Sequence, residues 1–425
     1  MNKKAAIGLF LGGCFSSWIL KRIYNRLFVE NEPVHIYGHS FYIGITVCAT
    51  KVRAGVVRDD FVIISRKTIP ICSRNSEAVI TIILTLIDEV ITMSGLSRSS
   101  IESIGIGIPG YISHRTGIIL QASHFPEWKN IPITDIIYEH THIKTYADND
   151  SNVLTLYEYV HGNKDIHKDI FVLNVSSGVG GGYICDNHLM RGFRGGVAEI
   201  GHNIYRPNGY KCLCGQRGCV ETYASILALV ARAKRELEKL KTVRSAYNNQ
   251  IDTSSELKRN YSQKSILTSS LENVSPLTAD SVVTAAEAGD PIGLKCFIAS
   301  CVSISICCIN IYKSFDPEII ILNGSLANAG ILLYDYINIY IDLFHGNMNV
   351  YEDIPIKEYD STYYQNIVNK INDYNITRDP ENYTERIKIK ETDNTIIVGK
   401  TWVIPGSGGD EAGIIGGAAL AMNIL

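Results

Sequence analysis

Apolar and polar positions alternate and then cluster in an order that repeats along the chain. Tyr42-Ile43-Gly44-Ile45-Thr46-Val47 runs through a turn into Lys51-Val52-Arg53-Ala54-Gly55-Val56-Val57, so residues 35–65 read as strand, turn, strand. Apolar positions at helical spacing follow near Ala78 to Met93, then a strand from Ile101 to Ile108 ending in Pro109-Gly110. Lys144-Thr145-Tyr146-Ala147 predicts a short strand entering Asp148-Asn149-Asp150, with a helix beginning at Ser151. A second strand pair covers Ile170 to Val175 and Gly180 to Asp186. Strands precede helices twice over, which argues for a duplicated α/β architecture. The apolar stretch holding Cys296, Cys301, Cys307 and Cys308 predicts a buried helix, where thiols behave as small hydrophobes.

Three segments depart from this pattern. Ala5 to Leu20 is apolar and lies between Asn2-Lys3-Lys4 and Lys21-Arg22. It is short of the ~20 residues a membrane span needs; a membrane anchor, a cleaved leader, an interfacial helix and a soluble helix all fit it. Residues 238–276, rich in Lys, Ser, Asn and Thr, and 345–398, rich in Tyr, Asn, Asp and Ile, are expected to be surface insertions. At 425 residues the chain is ample for two domains. Its 40 basic and 43 acidic residues nearly balance, which gives no reason to expect nucleic acid as a partner. Eleven cysteines are a small fraction of so long a chain, and four of them lie in the apolar stretch, which fits a reducing, cytoplasmic compartment.

The densest chemistry lies between Glu199 and Glu221, EIGHNIYRPNGYKCLCGQRGCVE. His202, Cys212, Cys214 and Cys219 follow the spacing H-x9-C-x-C-x4-C. One imidazole and three thiolates make a set that Zn²⁺ accepts as a closed, tetrahedral structural site. Gly215 and Gly218 let the backbone fold back tightly enough for the sulfurs to meet one ion. The other reading is a disulfide loop plus a free thiol, although Cys-x-Cys is too short to bridge itself easily. Glu199 and Glu221 bracket the cluster, and carboxylates beside a metal knuckle point to recognition of a polar ligand.

This segment resembles the signature of the ROK family (repressors, open reading frames and sugar kinases), E-x-G-H followed by C-x-C-G-x-x-G-C-x-E. Glu199, Gly201, His202, Cys212, Cys214, Gly215, Gly218, Cys219 and Glu221 occupy every position of it. The resemblance runs from about Tyr42 to the C-terminus. It implies an α/β, actin-like (ribonuclease H-like) sugar kinase fold with two lobes and a zinc-binding loop. The expected organisation is an N-terminal segment 1–34, a first lobe 35–150 completed by a C-terminal helix over 411–425, and a second lobe 151–410. It also implies a homodimer or tetramer. A winged helix-turn-helix, which the family's repressors carry, has no room in the residues before the first strand, so the DNA-binding branch is not expected.

The resemblance implies roles for individual residues. Asp150 matches the aspartate of the family's N-D-x-N motif and would be the catalytic base; an Asp after a strand is otherwise a frequent helix N-cap. Asn149, Asp150, Glu199, His202 and Glu221 would bind a hexose or N-acetylhexosamine. Thr50, Lys51, Ser177, Gly178, Gly180, Gly181 and Gly324 would hold ATP, which brings Mg²⁺. The second phosphate loop, Ser176-Ser177-Gly178-Val179-Gly180-Gly181-Gly182, stands against G-T-G-x-G-G-G. Pro317 to Ser325 resembles the strand and turn that cup adenosine, with Asn323 in place of the first glycine, and Gly413 to Ala419 matches the last helix. The first loop departs: Thr46-Val47-Cys48-Ala49-Thr50 stands where the family has D-x-G-G-T. Cβ atoms at Cys48 and Ala49 crowd the approach of phosphate, and the Asp that organises Mg²⁺ is absent there, with Asp148 as a substitute. A working kinase, most simply a glucokinase, and a sugar-binding protein without turnover both stand at this point.

Overall fold

The structure is a computed structural model that describes residues 38–122, 125–163, 166–249, 269–346, 403–407 and 409–424. The apolar segment Ala5–Leu20 and nearly all of the polar stretch 345–398 lie outside the described residues. The first half opens with an antiparallel meander of β1 (Phe41–Val47), β2 (Lys51–Arg58) and β3 (Ile63–Pro70). β3 was not expected from the sequence. Its side chains alternate between half-buried and exposed at the sheet edge, so its apolar signal is diluted. Helix α1 (Ser76–Ser94) starts where Asn75 Oδ1 accepts the Glu77 N–H and ends at Gly95 in the left-handed region. It lays Val79, Ile83, Leu86, Ile87 and Val90 on the sheet.

β4 (Ile101–Ile108) then pairs parallel with β1. A small three-stranded sheet of β5 (Tyr111–Ser113), β6 (Ile118–Ala122) and β7 (Phe125–Pro132), also not expected, and helix α2 (Ile133–Thr141) precede β8 (Lys144–Asn149). The main sheet has the order β3-β2-β1-β4-β8.

The second half repeats that order. After α3 (Asp150–Glu158) come β9 (Ile170–Val175), β10 (Val179–Cys185) and β11 (His188–Leu189), again an antiparallel meander. Helices α4 (Glu221–Ala224), α5 (Ile226–Asn249), α6 (Ala279–Glu287) and α7 (Pro291–Phe315) lead to β12 (Ile319–Asn323). α8 (Ile331–Gly346) and β13 (Val403–Pro405) complete a sheet ordered β11-β10-β9-β12-β13, whose last two strands run parallel to β9. The duplication expected from strand order is thus present at the level of topology.

α7 is the one described helix long and apolar enough to cross a membrane, but most of it is buried. Cys296, Cys301, Cys307 and Cys308 all sit in its core. Within the stretch 238–276, residues 238–249 continue α5, where Glu236 bonds Lys239 and, across to α7, Lys295. Ser269 and Ser270 are likewise anchored, on the carboxylate of Asp290. Composition hid an exposed helix with few apolar positions.

The last helix, α9 (Ala412–Ala421), returns to pack on β1 and β4 and against α3. A Cβ on Gly44 would collide with the Ile414 carbonyl, and one on Gly105 with the Gly417 carbonyl. Small residues here set the distance between helix and sheet.

Candidate functional site

A cleft of about 300 Å³ opens between the two halves, at the ends of β4, β8, β9 and β10. Its lining includes Asn149, Asp150, Glu199, His202 and Glu221 together with Ser177, Gly178, Gly180 and Gly181. Residues expected on the sugar side and on the phosphate side therefore meet in one place. Thr50, Lys51 and Gly324 are not among the lining residues. Thr50 and Lys51 sit in the β1–β2 turn, closed by Cys48 N–H to the Lys51 carbonyl (2.8 Å), and Lys51 Nζ lies 3.7 Å from Asp410. Gly324, with φ at 96°, lies behind the second loop, beside Asn174 and Ser176.

The turn after β8 separates two tasks that one aspartate would otherwise combine. Asn149 is the N-cap: its Oδ1 accepts the Ser151 N–H at 2.7 Å, and its Nδ2 donates to the Gly110 carbonyl at 2.9 Å. Asp150, the first helical residue, keeps its carboxylate for the cleft. Burial pushes its pKa up to about 6, against hydrogen bonds from the backbone N–H of Ser151 and its own. Asp148 is unsuited to the Mg²⁺ role considered from the sequence. It is buried, and its carboxylate accepts from Asn149 N, Asn152 Nδ2 and Arg191 Nε.

The opposite wall carries three acids and bases close together. Burial, then the charges of Asp150 and Glu221, push Glu199 up to about 7. His202 Nε2 lies 3.9 Å from Glu199. Glu221 touches two elements: Oε2 accepts the Val179 N–H at 3.1 Å, and Oε1 lies 3.7 Å from Cys212 Sγ. It ties the glycine-rich loop after β9 to the cysteine loop. A Cβ on Gly178 would meet Glu221 Oε2, and one on Gly180 would run into Ser151 Oγ, so the loop's bare backbone is pressed against both α3 and Glu221.

His202, Cys212, Cys214 and Cys219 converge, all four ligand atoms lying within 4.8 Å of one another. Cys212 Sγ is 3.6 Å from His202 Nδ1, and Cys214 Sγ is 3.7 Å from Cys219 Sγ. Bonds of ~2.3 Å to sulfur and ~2.05 Å to nitrogen at tetrahedral angles give edges of ~3.8 and ~3.6 Å. The set fits a four-coordinate metal. Burial pushes the Cys212 thiol up to about 12, so a cation is what would ionise it at neutral pH.

Several lining residues escaped the sequence reading, Asn174 on β9 among them. Tyr111 and Gln121 are cross-strand partners of the small sheet; Leu213 and Gln216 sit between the cysteines. Only position could have flagged them, since Tyr111 follows Pro109-Gly110 directly and the other two fall inside the metal loop. Behind the cleft, Asn323 donates through Nδ2 to the buried Glu158, and its Oδ1 accepts the Gly324 N–H at 2.6 Å. Glu158 also accepts from Ser407 N and Oγ. The asparagine that replaces a glycine is thus a fixed part of the wall.

The ROK family profile matches residues 42–344, about seven-tenths of the chain. The chain belongs to the ROK family. Among ROK relatives, it is 28% identical to a glucokinase of Halalkalibacterium halodurans over 292 residues, covering 68% of this chain and 82% of that one. It is 27% identical to a xylose repressor of Caldicellulosiruptor bescii over 261 residues, 61% of this chain and 59% of the repressor. A ROK glucokinase from Streptomyces griseus, solved with glucose and AMPPNP, superposes with a TM-score of 0.62 at 23% identity, over 90% of this chain and all of that one. The fold is the actin-like, two-lobed fold of ROK sugar kinases, and the cleft lies between its lobes.

Proposed function

We propose that the chain is an ATP-dependent sugar kinase that phosphorylates a hexose, with glucose as the first substrate to test. The observation that carries this reading is the single cleft in which Asp150 stands between polar recognition groups and a glycine-rich backbone loop. Asp150 takes the proton from a sugar hydroxyl; a pKa near 6 leaves it ionised yet basic enough to accept at neutral pH. Glu199, His202 and Glu221 orient the sugar through its vicinal hydroxyls. The backbone N–H groups around Ser177 and Gly178 and the N-terminus of α3 face the transferring phosphoryl group, where developing negative charge is stabilised. Mg²⁺ bound with the nucleotide would supply charge neutralisation at the phosphates. His202, Cys212, Cys214 and Cys219 would hold Zn²⁺ with all four ligands supplied by the chain, and the ion would then clamp the loop that carries His202 and leads to Glu221. Glucokinase relatives and the glucose-bound structural neighbour support glucose over the N-acetylhexosamines N-acetylglucosamine and N-acetylmannosamine.

The first phosphate loop favours a second reading, a sugar sensor without turnover. Thr46 occupies the acidic position and is buried, and Cys48 and Ala49 replace glycines. An ADP-release assay over glucose, N-acetylglucosamine and N-acetylmannosamine separates the two, with Asp150→Asn as the control. Turnover abolished by that change is the expected result. Thermal stabilisation by a sugar with no ADP release would establish the sensor instead.

A further inference from the structure

Asp148 ends β8 in the first lobe and is 1% exposed. Its Oδ1 accepts the Asn149 backbone N–H and Asn152 Nδ2, both at 2.8 Å, which fixes the first turn of α3 around Asp150. Its Oδ2 accepts Arg191 Nε at 2.6 Å. Arg191 belongs to the second lobe, in the stretch that leaves β11 and leads to Glu199, and its side chain is 17% exposed. The Arg191 carbonyl accepts the Val197 N–H, folding that stretch back on itself. One buried carboxylate thus holds the turn carrying Asp150 and, across the lobes, the root of the stretch carrying Glu199. Neither partner lines the cleft.

Burying an ion pair gives little net stability compared with apolar packing of the same volume, because desolvation offsets the attraction. Apolar side chains would join the two lobes as firmly. What three directional hydrogen bonds on one carboxylate add is orientation. We infer that Asp148 and Arg191 are a positioning pair for phosphoryl transfer, setting how Asp150 and Glu199 face each other while touching neither sugar nor nucleotide. This rests on the roles proposed above for Asp150 and Glu199.

The test compares Asp148→Asn, Arg191→Met and the double variant with wild type, reading thermal stability, kcat, KM for sugar and KM for ATP. Each single change strands a buried charge or its partner, so Tm falls by several degrees. The double variant leaves no charge unpaired, and its Tm returns toward wild type. Its kcat/KM for sugar is expected to stay about 10- to 100-fold low, the scale of a misplacement near 1 Å, with KM for ATP within about twofold. Recovery of sugar kinetics together with Tm would reduce the pair to a structural brace and overturn the inference. Should wild type bind sugar without turnover, the kinase reading fails separately. The pair is then judged by sugar affinity in the same variants: weakened binding in the double variant upholds it, unchanged binding ends it. A wild type that neither turns over nor binds any sugar overturns both.

Discussion

Asp150 illustrates how one side chain sets stability and reactivity in opposite directions. Its folded-state pKa of about 6 lies above the unfolded 3.8, so the folded chain holds an extra proton between those values. Stability from this group is therefore fully present below about 3.8 and lost as pH rises through about 6. At neutral pH the ionised carboxylate costs the fold on the order of 3 kcal/mol. Asp150→Asn removes that cost and also the base. The variant should melt several degrees higher at neutral pH while turnover falls ~10²- to 10⁴-fold. In wild type, kcat/KM for sugar should climb with pH through about 6. Paired thermal melts and pH–rate profiles check both; a variant that loses turnover and melts lower would make Asp150 a structural residue.

At the scale of elements, the β1–β2 turn is where the chain departs from the D-x-G-G-T pattern against which the sequence was read. Val47 pairs with Val52, so Cys48 to Lys51 must turn within four residues, and Cys48 N–H closes on the Lys51 carbonyl. Arg53 reaches Cys48 Sγ at 3.9 Å and forms an ion pair with Asp410. On the kinase reading proposed above, the Cβ atoms of Cys48 and Ala49 would stand where bare backbone meets phosphate. Thr46 is buried beside Gly413 in the first turn of α9, where a helix N-terminus favours a carboxylate. Restoring Thr46→Asp with Cys48→Gly and Ala49→Gly should raise kcat/KM for ATP at least about tenfold, or ~1.4 kcal/mol of transition-state stabilisation. ATP kinetics unchanged in the triple variant would remove crowding as the explanation. The His–Cys cluster was legible in the sequence, because its four ligand atoms come from one short stretch; the β1–β2 turn was legible as a turn, although Thr50 and Lys51 do not line the cleft. The small sheet β5–β7 was not, because its strands are short and its alternation broken by turns. Nor was the Asp148–Arg191 pair, whose partners stand 43 positions apart with nothing local to link them. The helical course of α5 beyond residue 237 was not read from the sequence, because a largely polar helix carries no apolar period.

For the whole molecule, the question is what the metal loop contributes to a fold that already has two cores. One hydrophobic cluster fills the space around β1, β4 and α1; another is built on β9, β12 and α7. The cysteine loop hangs on the second through Val220 and Ala224, which are buried directly after its last ligand. Its four ligands all come from within residues 202–219, so an ion there closes a local loop and does not join the lobes. Metal loss should then loosen the loop and leave both sheets standing. Glu221 extends the effect: it bridges from Cys212 to the Val179 N–H of the glycine-rich loop, so slack in the cysteines is passed to that loop. Metal analysis should find about one Zn²⁺ per chain. Removing it by chelation should lower Tm by a few degrees, weaken sugar binding about tenfold or more, and weaken AMPPNP binding to a smaller extent. Far-UV circular dichroism should change little, because the sheets and long helices do not depend on the ion. Global unfolding on chelation would mean that the loop supports the second core. Unchanged sugar affinity in the metal-free protein would separate the cluster from recognition altogether.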